Sequence, residues 1–318
     1  MLLPTCAKGD IVTNGISFQE HRFSSSDGLQ LYARDYGHAD PQTAASLPVV
    51  CLPGLSRNSR DFHRLAMQLS THPQRPRRVI TLDYRGRGLS DWDTDKSRYQ
   101  LPVEAQDVLS ACENLGIAKA IFIGTSRGGL TLHFLAAMRP ALLAGIVLND
   151  IGPVIEIAGL LQIRHYLQPQ QPLQSFEQAI ESLKRTHGAA FPALDDDDWA
   201  DMAQAIFREK DGVIAADFDP ALIEPLKSID ADTQVPDLWA LYQGFQTMPL
   251  MVIRGENSNI LSEATVLEMG KRHPGLKVVT AAGQGHAPLL HRPDLLTDMT
   301  AFIDGISQGR RPTGGFTR

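Results

Sequence analysis

Gly124-Thr125-Ser126-Arg127-Gly128 is the run of residues with the clearest chemical content. It follows the apolar stretch Ile121-Phe122-Ile123 and opens a helical pattern near Gly129, so Ser126 stands at a strand-to-helix turn. So tight a turn needs small flanking residues, which the two glycines supply. It lifts the serine hydroxyl clear of the sheet at the strand's carboxyl end. A serine hydroxyl becomes a nucleophile when a base takes its proton. Ten histidines compete for that task. His133 lies in the helix after the turn and reads as packing. His21, His38, His63, His72, His165, His187 and His273 carry no supporting pattern, and His291, just before Arg292-Pro293, reads as a helix entry. His286 differs: it lies in Ala282-Gly283-Gln284-Gly285-His286-Ala287-Pro288, just beyond the last strand pattern and on the same sheet edge as Ser126. Ser126 and His286 are therefore the expected nucleophile and general base of an acyl transfer.

The elements that must hold these residues are legible as alternating patterns. Phe18–Phe23 and Leu29–Tyr36 flank Ser26-Asp27-Gly28 and read as a hairpin. Short apolar strands follow at Val49–Leu52, Arg78–Asp83, Ala120–Ile123 and Ile146–Asn149, with helical patterns at Asp61–Leu69, Val103–Leu115 and Gly129–Met138 between them. Continuous apolar strands separated by helices predict an α/β fold, its parallel sheet covered on both faces. From about Pro153 to Met248 the style changes. Gly159–Leu167, Ser175–Thr186 and Asp198–Arg208 read as amphipathic helices, and Gly212–Ala216 as a short strand at most. The strand–helix rhythm then returns at Leu250–Arg254, Glu263–Arg272, Lys277–Thr280 and Leu295–Ile306. The expected organisation is a core of residues 1–152 and 249–318 interrupted by a helical insertion, 153–248. The tail after Gly309, rich in Gly, Arg and Thr, is expected to be mobile.

Four stretches together resemble the α/β-hydrolase superfamily over roughly Phe18 to Ile306: Leu52-Pro53-Gly54-Leu55, the run Asp83-Tyr84-Arg85-Gly86-Arg87-Gly88-Leu89-Ser90, the Ser126 turn and the His286 loop. Serine before histidine, with a long insertion between, is that superfamily's chain order. The resemblance implies the α/β-hydrolase fold, a mostly parallel central sheet flanked by helices, with the insertion as a cap. It also implies that the backbone N–H groups of Leu55 and Arg127 form the oxyanion hole, although Pro53 stands where the superfamily usually has histidine. Such donors stabilise the charge that acyl transfer builds on the carbonyl oxygen. The superfamily's acid is expected in Arg254-Gly255-Glu256-Asn257-Ser258-Asn259-Ile260-Leu261-Ser262, and the matching residue is Asn259, an amide. Three readings follow. Asp150, at the preceding strand end, supplies the acid; or Asn259 marks a lost carboxylate, natural or engineered; or Glu256 reaches the histidine. The otherwise retained shape of the Asn259 loop favours the lost carboxylate narrowly. Against Asp150 stands a structural role, since Asn149-Asp150-Ile151-Gly152-Pro153 is a good turn sequence.

Composition narrows the function classes. The chain has 318 residues, 43% hydrophobic and 21% charged, with formal net charge −6. That is a globular composition and too acidic for a phosphate-tracking nucleic-acid binder. No apolar run is long enough to span a membrane, and the first ten residues do not read as a secretory signal. Cys6, Cys51 and Cys112 are scattered and odd in number, which suits a reducing compartment and lacks zinc-ligand spacing. Gly86-Arg87-Gly88 lacks the third glycine of a dinucleotide fingerprint. Asp195–Asp198 reads as a helix start favoured by the macrodipole rather than a metal site. Arg57 and Arg127 could meet an acidic substrate group or serve in structural pairs. Trp92, Phe134, Tyr166, Trp239 and Phe245 are candidates for an acyl pocket, with core packing as the alternative. The expectation is a cytoplasmic serine hydrolase, a carboxylesterase for small apolar esters that uses no metal or organic cofactor. Its expected partner is a small-molecule ester or related carbonyl compound, with no nucleic acid and no membrane; a homodimer is left open. Aspartate-nucleophile branches are disfavoured because a serine occupies position 126. Two rivals stand: a C–C bond hydrolase of a dienoate-type ring-cleavage product, and a catalytically weakened ligand-binding member.

Overall fold

The computed structural model describes residues 10–13, 16–38, 40–168, 173–310 and 315–317. An antiparallel entry of β1 (Asp10–Thr13), β2 (Ile16–Ser24) and β3 (Gln30–Tyr36) leads into β4 (Val49–Leu52), α1 (His63–Ser70), β5 (Val79–Asp83), α2 (Leu101–Asn114), β6 (Ala120–Thr125), α3 (Arg127–Met138) and β7 (Leu143–Asn149). Then come α4 (Ile157–Tyr166), α5 (Phe176–His187), α6 (Asp196–Ile206), the hairpin β8 (Phe207–Lys210) and β9 (Val213–Ala216), and the single turns α7 (Glu224–Lys227) and α8 (Trp239–Tyr242). The chain closes with β10 (Leu250–Gly255), α9 (Glu263–Arg272), β11 (Lys277–Ala281), α10 (Pro293–Ser307) and β12 (Gly315–Thr317).

The sheet runs β1-β2-β3-β5-β4-β6-β7-β10-β11-β12, and from β5 onward neighbouring strands are parallel. Parallel pairing requires a crossover after each strand, which is why helices cover both faces. The alternation of side chains sorts the core accordingly. Val50, Leu52, Phe122 and Leu148 pack with Val108 of α2 and Leu132 of α3. Val49, Cys51, Ile121 and Val147 pack with Leu65 of α1 and Phe302 of α10. Each large side chain buried this way contributes about 1.5–3 kcal/mol.

Strands β7 and β10 pair directly, Ile253 opposite Asn149, so everything from α4 to α8 is inserted between adjacent strands and lies off the sheet. The insertion has its own small core around Leu183, Phe191, Trp199 and Met202. Two local expectations needed correction. The helix expected over Asp198–Arg208 stops at Ile206, because Phe207–Lys210 pairs with β9 around Asp211-Gly212. Both turn residues have positive φ, 53° and 79°, the geometry of a tight hairpin. The tail expected to be mobile after Gly309 contains β12, which adds to the sheet edge beside β11. Cys51 and Cys112 are buried free thiols, and Cys6 lies outside the described residues.

Candidate active site

Ser126 sits between β6 and α3 with φ 52° and ψ −116°, a conformation L-residues rarely adopt. Two flanking glycines make it attainable. A Cβ at Gly128 would fall 2.1 Å from the Leu52 carbonyl oxygen, and one at Gly124 would fall 2.6 Å from the Gly129 nitrogen. Only hydrogens fit there, so the chain can pivot and present the Ser126 side chain. The Ser126 N–H donates to the Asn149 carbonyl at 3.0 Å, tying the turn to the neighbouring strand.

His286, in the loop between β11 and α10, places Nε2 2.8 Å from Ser126 Oγ and Nδ1 2.8 Å from Asp150 Oδ2. A carboxylate only accepts, so Nδ1 carries the hydrogen and Nε2 keeps the lone pair that accepts the Ser126 hydroxyl. Asp150 follows β7 with φ 54°. It is fully buried and fixed at three points: its N–H donates to the Ile253 carbonyl at 2.7 Å, Oδ1 accepts from Gly255 N–H at 2.8 Å, and Oδ2 faces His286.

The narrow preference for Asn259 as the acid position is corrected here. Asn259 is exposed, and its Nδ2 donates to Gln162 Oε1 on α4. Glu256 is also exposed; its Oε2 accepts from Gly283 N–H at 2.7 Å, which braces the two loops. Strands β7 and β10 are neighbours. An acid at the end of β7 therefore reaches the imidazole and leaves the later loop without that task.

Leu55 and Arg127 flank the serine from two sides. Arg127 is the first residue of α3, where N–H groups have no intrahelical acceptor. A Cβ at Gly54 would lie 3.7 Å from Ser126 Cβ, so the β4 loop passes close to Ser126. The two loops share one buried brace. Arg87 Nε donates to the Leu55 carbonyl at 2.8 Å, Arg87 Nη1 lies 2.7 Å from Glu104 Oε1, and Arg127 Nε donates to Glu104 Oε2 at 2.7 Å. Burial alone would raise the Glu104 carboxyl, but the Arg127 and Arg87 charges outweigh it and hold it below the ordinary value. Sequence reasoning passed over Glu104 because one glutamate in an amphipathic helix looks like any solvated position.

A cavity of about 340 Å³ opens onto Ser126 and His286. Core residues such as Phe62 and Leu65 and insertion residues such as Leu183, Phe191 and Met202 line it. Of the five aromatic candidates only Tyr166 is in its wall. Trp239 packs on Tyr242 with Arg272 4.1 Å over its ring, Phe245 is core against His133, Trp92 is exposed, and Phe134 is partly buried on α3. His291 is also in the wall and meets Asp198 at 3.1 Å. Asp198 belongs to the acidic run Asp195–Asp198, which caps α6 with reciprocal bonds between Asp195 and Asp198. Among the described residues no cluster of His, Cys, Asp and Glu could hold a metal, and no helix is long and apolar enough to cross a membrane.

Residues 49–299 match the model of the Alpha/beta hydrolase family. The chain belongs to that family. A solved alpha/beta hydrolase from Novosphingobium aromaticivorans is 36% identical and superposes with a TM-score of 0.81, covering 90% of this chain and 98% of that one. The 3-hydroxybutyrate-oligomer hydrolase of Cupriavidus necator is 29% identical over 81% of this alpha/beta hydrolase and 88% of its own length. The 2-(acetamidomethylene)succinate hydrolase of Mesorhizobium japonicum is 27% identical over 79% and 86%. These relatives of the hydrolase are themselves hydrolases.

Proposed function

We propose that this alpha/beta hydrolase is a serine esterase that cleaves carboxylic esters through an acyl-enzyme on Ser126, with oligoesters of a short hydroxy acid as its substrate class. The observation that carries the reading is the unbroken chain Ser126 Oγ, His286 Nε2 and Nδ1, Asp150 Oδ2, with both contacts at 2.8 Å. Ser126 Oγ bonds the acyl carbon while its proton passes to His286 Nε2. Asp150 holds the ring and offsets the imidazolium charge. The N–H groups of Leu55 and Arg127 receive the oxyanion. The alcohol leaves with the His286 proton. Water then adds to the acyl carbon, gives its proton to His286, and Ser126 departs with that proton.

Support for the substrate class comes from the name of the Cupriavidus relative and from the cavity, whose apolar walls suit a short aliphatic acyl chain. We assign residues 153–248 the role of a cap that selects the substrate, since much of the cavity wall is theirs. The weakened-member alternative rested on Asn259, which has a different partner. The ring-cleavage alternative leaned on Arg127, whose guanidinium is bound by Glu104. The test combines a fluorophosphonate probe with hydrolysis of p-nitrophenyl esters and of a 3-hydroxybutyrate dimer. Ser126→Ala should lose the adduct and at least about 10³-fold of turnover. Undiminished turnover would sink the assignment.

A further inference from the structure

Arg57 and Arg127 both flank the oxyanion loops, but the structure separates their roles. Arg127 is engaged: Nε on Glu104 and Nη2 on the Tyr99 carbonyl at 3.1 Å. Arg57 faces the cavity. A Cβ at Gly54 would lie 3.4 Å from Arg57 Cγ and 3.7 Å from Ser126 Cβ, so both side chains crowd the same glycine. Among the described lining residues, Arg57 and Asp61 are the only ones of the Lys, Arg, Asp and Glu types.

Asp61 accepts from Arg57 Nε at 2.8 Å and meets Nη2 at 2.7 Å, while no described acceptor engages Nη1. Tyr166 and His187 line the same cavity, the His187 ring packing edge-on against Tyr166 at 4.8 Å, and both residues feel the Arg57 charge. Burial first, and Arg57 second, push the His187 imidazole down to about 4. It is therefore a neutral hydrogen-bonding wall at pH 7 rather than a second cation. A partly open ion pair adds little to stability, so its place inside an apolar cavity calls for another explanation.

We propose that Arg57, held in orientation by Asp61 in a cavity that Tyr166 and His187 also line, is the site for a carboxylate carried by the substrate, so that the preferred ester is one whose far end is a free acid. The inference rests on the esterase reading and names the feature of the oligoester that is recognised. An oligoester of a hydroxy acid ends in a carboxylate, and a guanidinium in a largely apolar cavity binds it through charge-assisted hydrogen bonds. Asp61 has a second consequence: its charge offsets that of Arg57 and repels an incoming anion.

The two halves of the pair should therefore act in opposite directions. The 3-hydroxybutyrate dimer is offered as free acid and as methyl ester, and the ratio of kcat/KM values is read. Arg57→Gln should lower the acid-to-ester ratio by about tenfold or more, the range of one charged hydrogen bond. Asp61→Asn should raise it. A merely structural salt bridge would lower Tm in both variants and leave the ratio untouched, and that result overturns the proposal. Calorimetric binding of the two dimers to Ser126→Ala protein, with and without Arg57→Gln, gives an arm independent of turnover. If the wild type hydrolyses neither dimer, the esterase reading falls, while preferential binding of the acid, lost with Arg57, still upholds the carboxylate site. Equal binding of acid and methyl ester sinks the site whatever the kinetics show.

Discussion

Asp150 combines a positive φ, complete burial and three hydrogen-bonded contacts. Asparagine and aspartate tolerate that backbone region better than other L-residues, so a side chain chosen for chemistry can also make the turn. In the proposed mechanism the carboxylate orients His286 and offsets its charge as the proton arrives. Asp150→Asn preserves shape and the turn but offers an amide to Nδ1. Turnover should fall by roughly 10³–10⁴-fold, with little loss of stability, by analogy with the handicap an amide brings to a serine-protease triad. Asn259→Asp, beside Gln162 on the surface, should leave turnover within about twofold, as exposed substitutions usually do. Initial rates on a p-nitrophenyl ester, normalised to active-site titre, check both. A large gain from Asn259→Asp would return the acid to the later loop.

At the scale of elements, the two loops proposed to carry the oxyanion donors hang from different strands, β4 and β6, and that role requires them to keep their relative position to within a fraction of an ångström. Glu104 on α2 joins them: one oxygen serves Arg127, the other Arg87, and Arg87 in turn holds the Leu55 carbonyl. Deleting an oxyanion donor outright costs about 10²–10³ in kcat. Loosening both without removing either should cost less. Glu104→Gln is expected to lower kcat by about 10–100-fold and KM by much less, because the loss is felt as the oxyanion forms. Affinity for a trifluoromethyl ketone should fall in parallel with kcat. Removing the fully buried charge from between buried Arg87 and partly buried Arg127 also destabilises, by about 3–5 kcal/mol, so thermal unfolding is read alongside. A lower Tm with unchanged kcat per titrated site would reduce the brace to a folding role.

For the whole molecule, buried His133 makes stability depend on pH. It is fully buried on α3 against Tyr242 and Phe245, its Nδ1 donates to the Gly129 carbonyl at 2.8 Å, and burial pushes its imidazole down to about 4. In the unfolded chain an ordinary histidine takes up a proton below about pH 6.5. Between those values the unfolded state binds more protons, so the contribution is intact above pH 6.5 and drains away as the pH falls towards 4. From pH 7 to pH 5 the loss should be about 2 kcal/mol. Urea midpoints at those two pH values should fall more steeply in the wild type than in His133→Met, which keeps an apolar filling and cannot titrate. Parallel slopes would show that His133 is already protonated, or that it titrates normally.

The sheet, its helical covers and the positions of Ser126 and His286 were legible in the chain because each rests on local physics. Apolar runs of strand length, helical periodicity and glycines that admit a tight turn all act over a few residues. The insertion was legible in outline as a change of pattern, whereas Phe207–Lys210 was misassigned because its pairing partner, not its own sequence, makes it a strand. What remained open was every choice made by strands meeting across the sheet. Asp150, Asn259 and Glu256 were all open along the chain, with a narrow lean to Asn259; the pairing of β7 with β10 brings Asp150 under His286 and leaves the other two at the surface. Arg57 and Arg127 looked alike until α2 placed Glu104 beside one of them and left the other facing the cavity. A motif specifies its own turn, but a partner 136 residues away is selected by packing, because burial lets a charge survive only where hydrogen-bond partners already stand.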